Sequence, residues 1–243
     1  MRREALTLVP GLRNTFAVHN GANEALFYPT SPGVAPNRSV PLVLYVGRLV
    51  PIKGVHVLLK AMRILHDRNV QVACKIVGSS HAGGTKSRLT SYVKMLHANC
   101  PANVHFEGFT NATDIAEQYR NADIFCCPSV WQEPFGLVNI EAMASGVPVV
   151  ASRVGGIPEI AADGGIVLVE PDSPVELAEA LERLIQDKTL RASIGAQGLT
   201  SFRAHFTSTA IVSQYYRIAQ TLRKVEVAPA ASLEQTACGT SMS

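Results

Sequence analysis

Residues 126–159 read CCPSVWQEPFGLVNIEAMASGVPVVASRVGGIPE, and this stretch decides the fold. The apolar run 123–127 predicts one buried strand, and the apolar run 147–151 predicts another. Between them, Pro134 suits the first turn of a helix that continues through Glu141. A strand, a helix and a second strand in succession predict one unit of a parallel sheet.

Apolar runs of the same kind recur along the chain. They cover residues 41–46, 72–77, 104–106, 123–127, 147–151 and 166–169. Because polar residues do not alternate within them, these strands should be buried on both faces, as in a parallel sheet covered by helices. Between the first two runs, helical spacing is kept by Val55, Leu58, Leu59, Met62 and Leu65. The prediction is an α/β protein, a single doubly wound parallel-sheet, Rossmann-like domain.

Composition indicates an ordinary globular protein. The 243 residues are 47% hydrophobic and 17% charged, and the net charge of +3 gives no reason to expect a nucleic-acid partner. No apolar run approaches the roughly 20 residues that a membrane span needs, so none is expected. The five cysteines form no C-x-x-C pair, and three of them lie in apolar runs. These features favour a cytoplasmic location.

The ends of the chain differ from its middle. Residues 1–40 hold one candidate strand, 15–19, and then a loop rich in Pro, Ser and Gly. Residues 41–224 carry the alternating pattern, in which residues 173–176 (SPVE) form a capping box at the start of one helix. Residues 225–243 lack periodicity and are expected to be a disordered tail.

The final predicted helix has its own apolar stripe. It covers residues 207–224, and the stripe consists of Ile211, Tyr215, Ile218 and Leu222. This face is expected either to pack on its own sheet or to mark a partner surface.

Two cations follow the first predicted strand. Residues 47–54 read GRLVPIKG and contain Arg48 and Lys53. Ligands of open α/β sheets bind beyond the carboxyl ends of the strands, where this loop should lie. The two side chains are suited to a diphosphate, although both could equally solvate a surface turn.

Two acids flank the helix start in the central stretch. Glu133 and Glu141 have seven residues between them. The backbone N–H groups of residues 135–137 are expected to face an anion at the helix start. Glu141 is expected on the apolar face with Leu137 and Ala144, where a carboxylate is costly unless a ligand diol or another donor satisfies it. The alternative is a pair of purely structural acids.

Other motifs carry less information. Loops 78–85 and 155–159 are glycine-rich, but neither matches a G-x-x-x-x-G-K-[ST] or G-x-G-x-x-G fingerprint. The seven histidines show no metal-binding spacing, so no metal site is expected. Trp131 suits packing beside a strand end as well as stacking on a ligand.

At these residues the sequence resembles the C-terminal domain of a family 4 glycosyltransferase, a retaining enzyme of the GT-B fold. The match rests on the E-x7-E spacing within PSVWQEPFGLVNIEAMASGVPVVAS and on YVGRLVPIKG at residues 45–54. Residues 106–109 and 155–159 follow in family order, and the resemblance covers residues 15–224. The longer loop 78–85 is similar to that of bacterial spore-coat-type members.

The resemblance implies roles for individual residues. Arg48 and Lys53 would bind the donor diphosphate and steady the leaving group. Glu133 would hold hydroxyls of the donor sugar, Glu141 those of the ribose, and amides of residues 135–137 would contact sugar and phosphate. The implied catalytic residues are Arg48, Lys53 and Glu133. The implied donor-binding residues are Gly47, Arg48, Lys53, Gly108, Phe109, Glu133, Phe135, Gly136, Leu137 and Glu141, with Gly108 and Phe109 near the base.

The resemblance also implies an activity. The chain would be the donor domain of a hexosyl-transferring enzyme that uses a nucleotide-diphosphate sugar, retains configuration and needs no metal or other cofactor. A GT-B enzyme has two Rossmann-like domains, so residues 1–40 are expected to be the remnant of an N-terminal domain and linker. A separate acceptor-domain chain is the expected partner.

Alternative interpretations remain at this level. The chain could be a non-catalytic nucleotide-sugar-binding module or a truncated gene fragment. GT-B-like epimerases usually lack the WQEPFGLVNIE run, and a dinucleotide-dependent oxidoreductase would need the glycine fingerprint that is missing here.

Overall fold

A computed structural model describes residues 16–30, 38–80, 90–108 and 110–224. Several features predicted from sequence lie outside these residues. They are Phe109, most of the glycine-rich loop 78–85, the first 15 residues and the tail 225–243. The proposed division at residues 40 and 224 therefore stays a prediction.

The core of the fold is a six-stranded parallel sheet. Its strands are β1 (Leu42–Val46), β2 (Ala73–Val77), β3 (Val104–Glu107), β4 (Ile124–Cys127), β5 (Val149–Ser152) and β6 (Ile166–Val169). They are arranged in the order β3-β2-β1-β4-β5-β6. From β1 to β3 the strands are added toward one edge of the sheet, and from β4 to β6 toward the other, so the strand order reverses between β1 and β4. The carboxyl ends of these two parallel neighbours form the crevice where such folds bind ligands.

Helices cover both faces of the sheet. They are α1 (Val55–Asp67), α2 (Ser91–Ala98), α3 (Ala112–Arg120), α4 (Leu137–Ala144), α5 (Ile157–Ile160), α6 (Pro174–Gln186), α7 (Lys188–His205) and α8 (Ser208–Lys224). Short 3-10 turns occupy Pro51–Lys53 and Ala161–Asp163. The predicted apolar stripe of α1 is wholly buried.

Alternate residues of each strand enter two separate apolar layers. In β1, Val43 and Tyr45 join a layer formed with α1, α2 and α6, whereas Leu44 and Val46 join one formed with α3, α4 and α5. Successive side chains of a strand point to opposite faces, so an apolar run without alternation supplies both layers. The sheet is buried on both sides, and the predicted α/β class and doubly wound architecture are confirmed.

Three local predictions are wrong. Of the candidate strand 15–19, the described residues 16–19 form no strand, and nearby Ala22 makes an isolated bridge to Thr207. The predicted capping box of α6 does not form: the Ser173 side chain makes no capping bond, and the Glu176 carboxylate accepts from the backbone N–H of Glu170 at 3.0 Å. Pro134 precedes α4 rather than opening it, since the left-handed Gly136 is the N-cap.

The last helix leaves much of its apolar surface uncovered. Tyr215 and Leu222, two members of its predicted stripe, are 60% and 44% exposed. This stripe therefore does not pack fully on the sheet. Among the helices of the described ranges, none combines the length and the apolar character that crossing a membrane requires.

Candidate functional site

Two loops meet at the crevice between β1 and β4. The backbone N–H of Val130, after β4, donates to the carbonyl of Ile52, after β1, at 3.0 Å. Gly54 has φ +71°, and a Cβ at this position would lie 1.7 Å from the carbonyl oxygen of Pro128. Only glycine allows so close an approach of two backbones. The start of α1 is thereby fixed against the loop that follows β4.

This contact brings Lys53 and Glu133 together. The Lys53 Nζ lies 2.6 Å from Glu133 Oε2, and the two side chains are only 20% and 12% exposed. The same oxygen accepts from Ser129 Oγ at 3.2 Å and from Trp131 Nε1 at 3.0 Å. Three donors thus hold one carboxylate oxygen in place, and the indole of Trp131, which is 37% exposed, makes a polar contact.

Arg48 occupies a different position in the crevice. Its backbone carbonyl accepts from Tyr45 Oη at 2.9 Å, and its side chain is exposed. Within the described ranges, the structure shows no hydrogen bond or ion pair made by its guanidinium. The structure therefore brings Lys53 to Glu133 but does not bring Arg48 to either of them.

The glycine-rich loop 155–159 supports Glu133 from below. The N–H of Gly156 donates to the Glu133 carbonyl at 2.9 Å, and that of Gly155 donates to Gln132 Oε1 at 2.8 Å. Gly155 has φ +53°, and a Cβ there would lie 2.0 Å from the Glu133 carbonyl oxygen. The loop is therefore a structural brace for the Glu133 backbone.

The segment 134–137 forms a tight entry into α4. Gly136 has φ +88°, and its carbonyl accepts from the N–H of Asn139 at 2.9 Å. The Phe135 ring is buried and stacks on His19, with 5.7 Å between ring centroids. Of the predicted ligand residues here, Phe135 and Gly136 are buried, whereas Leu137 is 45% exposed.

Glu141 lies within α4 and is largely buried. Its Oε2 accepts from Tyr119 Oη at 3.0 Å. Burial raises the pKa of the Glu141 carboxyl above its ordinary 4.5, and the Tyr119 hydrogen bond opposes that rise. The prediction that Glu141 shares one apolar face with Leu137 and Ala144 is wrong for Leu137, since only Ala144 is buried.

The loop predicted near the base begins at the end of β3. Gly108 is exposed, and a Cβ there would meet nothing within 4 Å. Phe109 lies outside the described residues. Below Gly108, the Glu107 carboxylate is paired with Lys75 at 3.0 Å and with Gln118 at 3.3 Å. Gly47, at the end of β1, donates its N–H to the Val77 carbonyl at 3.0 Å.

Sequence reasoning missed three polar residues of this region. Ser129 and Tyr119 are the hydroxyl donors to the two acids, and no sequence spacing indicated either contact. Asn139 is fully buried, and neither its side-chain oxygen nor its nitrogen has a partner among the described residues. The sequence signal that could have indicated Asn139 is its position among the seven residues between Glu133 and Glu141.

Known proteins are similar to this chain in sequence and in architecture. Residues 32–200 match the family described as glycosyl transferases group 1. Spore coat protein SA of Bacillus subtilis is 34% identical over 170 residues, which is 68% of this chain and 45% of that protein. The D-inositol 3-phosphate glycosyltransferase of Corynebacterium diphtheriae is 34% identical over 197 residues, which is 77% of this chain and 46% of that protein.

A solved structure agrees. Anabaena Alr3699/HepE in complex with UDP-glucose superposes with a TM-score of 0.74 and 27% identity, covering 90% of this chain and 61% of that one. The chain spans about half the length of the curated relatives it matches, 45% and 46% of them. Its sheet and covering helices match GT-B glycosyltransferase structures, and the chain belongs to the glycosyl transferases group 1.

Proposed function

We propose that this chain is the donor-binding half of a retaining, family 4 glycosyltransferase that takes a hexosyl group from a UDP-sugar. The observation that carries the proposal is the Lys53–Glu133 pair, held at 2.6 Å in the crevice between β1 and β4. The preference for UDP draws on Anabaena HepE, whose structure contains UDP-glucose.

In such a reaction Lys53 would exchange its ion pair with Glu133 for one with the donor diphosphate. Without a donor, its ammonium neutralises the Glu133 carboxylate. A diphosphate brings more negative charge than one carboxylate, so it competes for the same ammonium, and the exposed Arg48 supplies a second cation. Glu133 is then released to accept hydroxyls of the sugar, while Ser129 and Trp131 still hold its Oε2.

The chemistry follows from this placement. The bond between the anomeric carbon and the diphosphate oxygen breaks, and the acceptor hydroxyl forms a new glycosidic bond on the same face of the sugar. The acceptor proton passes to the departing diphosphate, whose charge Lys53 and Arg48 offset. Cations that bind the leaving group more strongly as its charge develops lower the barrier.

The proposed donor site uses no metal or other cofactor, because Lys53 and Arg48 offset the charge of the diphosphate. The acceptor site belongs to a second, N-terminal-type domain, on a longer chain or a partner chain, and the cytoplasm is the proposed location.

Calorimetric titration with UDP and with UDP-glucose tests the proposal. Lys53→Met should weaken both ligands roughly 10- to 100-fold, since one charge-assisted bond to phosphate is lost. Glu133→Gln should weaken UDP-glucose about 10-fold but leave UDP unchanged or tighter, because Lys53 is freed from its partner.

A matched control is available on the surface. Arg68, which follows the last residue of α1, forms an ion pair of 2.7 Å with Glu182 of α6. The Arg68→Met variant should bind both ligands as the wild type does. Equal loss in Glu133→Gln for UDP and UDP-glucose would contradict the sugar-binding role. Binding without any transfer in the presence of a domain that carries the acceptor site would favour the non-catalytic binding module.

A further inference from the structure

Tyr119 is a fully buried phenol whose hydroxyl is directed at a site residue. It lies in the last turn of α3, and its Oη is 3.0 Å from Glu141 Oε2 and 3.2 Å from the carbonyl oxygen of Val138. Both acceptors belong to α4. A phenol has one proton to donate, so the carboxylate, as the charged acceptor, takes the stronger bond.

The ring of Tyr119 is fixed by its neighbours. It packs against Phe125 of β4 with 5.2 Å between ring centroids, and edge-on against Phe27 with 5.8 Å. A hydroxyl on so restrained a ring has little freedom to follow a moving partner. The carboxylate of Glu141 therefore adjusts to the tyrosine and not the reverse.

The surroundings of Glu141 give this bond its importance. Within the described ranges, the structure shows no Lys, Arg or His paired with the Glu141 carboxylate, and Tyr119 is the one side chain that donates to that carboxylate. Two other titratable groups of this pocket, Cys127 of β4 and Tyr45 of β1, raise the pKa of the Tyr119 hydroxyl, as burial and Glu141 also do. A partly buried carboxylate with a single donor depends on that donor for its orientation and its charge.

We propose that Tyr119 is a positioning residue for the donor: its hydroxyl occupies Oε2 of Glu141 and leaves Oε1 to accept ligand hydroxyls. The inference rests on the proposed function and on the ribose-binding role that the family resemblance implies for Glu141. It adds a residue from a different helix, 22 positions away in sequence. A purely structural role would need only the ring in the core and the bond to Val138.

The variant Tyr119→Phe separates these roles, because it keeps the ring and removes the hydroxyl. Tyr92→Phe is the matched control, since it removes a hydroxyl that contacts His56 Nδ1 at 3.0 Å on the opposite side of the sheet. UDP-glucose is the probe, because its diphosphate keeps the same charge from about pH 5 to pH 8 and only protein groups titrate.

Two measurements test whether the Tyr119 hydroxyl positions the Glu141 carboxylate. The first is a carbon-13 NMR titration of the Glu141 carboxyl, in which Tyr119→Phe should move the midpoint up by about one pH unit. The second is the dissociation constant of UDP-glucose across the same pH range. At pH values below the wild-type midpoint of Glu141, protonation should weaken binding of UDP-glucose to the variant by up to about 10-fold relative to the wild type, and this difference should narrow as pH rises above both midpoints.

The outcomes are distinct. An unchanged Glu141 midpoint in Tyr119→Phe, or an unchanged affinity of this variant for UDP-glucose, would overturn the positioning role. Absence of wild-type binding would overturn the proposed donor site, while the NMR titration would still decide whether Tyr119 controls Glu141. If Tyr119→Phe does not fold, the Glu141→Gln background removes the carboxylate left without a donor. A double variant that also fails to fold would assign Tyr119 to the core alone.

Discussion

Gly155→Ala should displace Glu133 without touching its side chain. Gly155 has φ +53°, where an alanine costs roughly 1–2 kcal/mol. Its methyl group would also lie 2.0 Å from the Glu133 carbonyl oxygen, and forcing such an overlap apart costs typically about 1–3 kcal/mol more. The expected loss of unfolding free energy is therefore roughly 2–5 kcal/mol, a large share of the roughly 5–15 kcal/mol of an ordinary domain.

Gly146→Ala provides the control for backbone strain. Gly146 also has a left-handed backbone, with φ +72°, but the nearest atom to a Cβ there is the Pro29 side chain at 3.3 Å. It should lose only roughly 1–2 kcal/mol. Urea unfolding followed by circular dichroism measures both variants against the wild type.

The functional consequence is specific to Gly155. The displaced Glu133 loses its carbonyl bond to Gly156 and its alignment with Lys53, so Gly155→Ala should bind UDP-glucose roughly 10-fold more weakly, whereas Gly146→Ala should not. The reasoning would be refuted by a Gly155→Ala protein no less stable than Gly146→Ala and with wild-type affinity.

Two further predictions concern stability. Asp187 caps α7 by accepting from the Leu190 N–H at 2.8 Å. Asp187→Ala should therefore lower the unfolding free energy measured in urea by about 1 kcal/mol. Ser173→Ala, at a cap without a side-chain bond, should lower it by less than about 0.5 kcal/mol, and equal losses would contradict the capping role of Asp187. The raised pKa of Glu141 means that the folded state binds this proton more tightly than the unfolded chain, so the group destabilises the fold as pH rises from about 4 through the raised value. The unfolding free energy of Glu141→Gln relative to wild type should therefore increase over that interval and then level off, and a difference constant with pH would count against the raised pKa.

The strands could be predicted from the local sequence pattern, whereas the start of α4 could not. Each of the six apolar runs became a strand, with ends shifted by no more than two residues, because burial on both faces leaves a continuous apolar signature. The start of α4 was misplaced since Pro134 fits a first helical turn on local grounds. The left-handed Gly136 and its bond to Asn139 moved that start to Leu137.

The sequence by itself determined the α/β class, the loops after the strands and the charged residues those loops carry, because periodicity and turn residues act over short distances. Only the tertiary structure decided which of those residues meet. Lys53 and Glu133 are 80 positions apart, and Tyr119 and Glu141 are on different helices. These contacts depend on β1 lying beside β4 and on the close backbone approaches at Gly54 and Gly155, and strand order and backbone clearance are properties of the packed chain that no local pattern records.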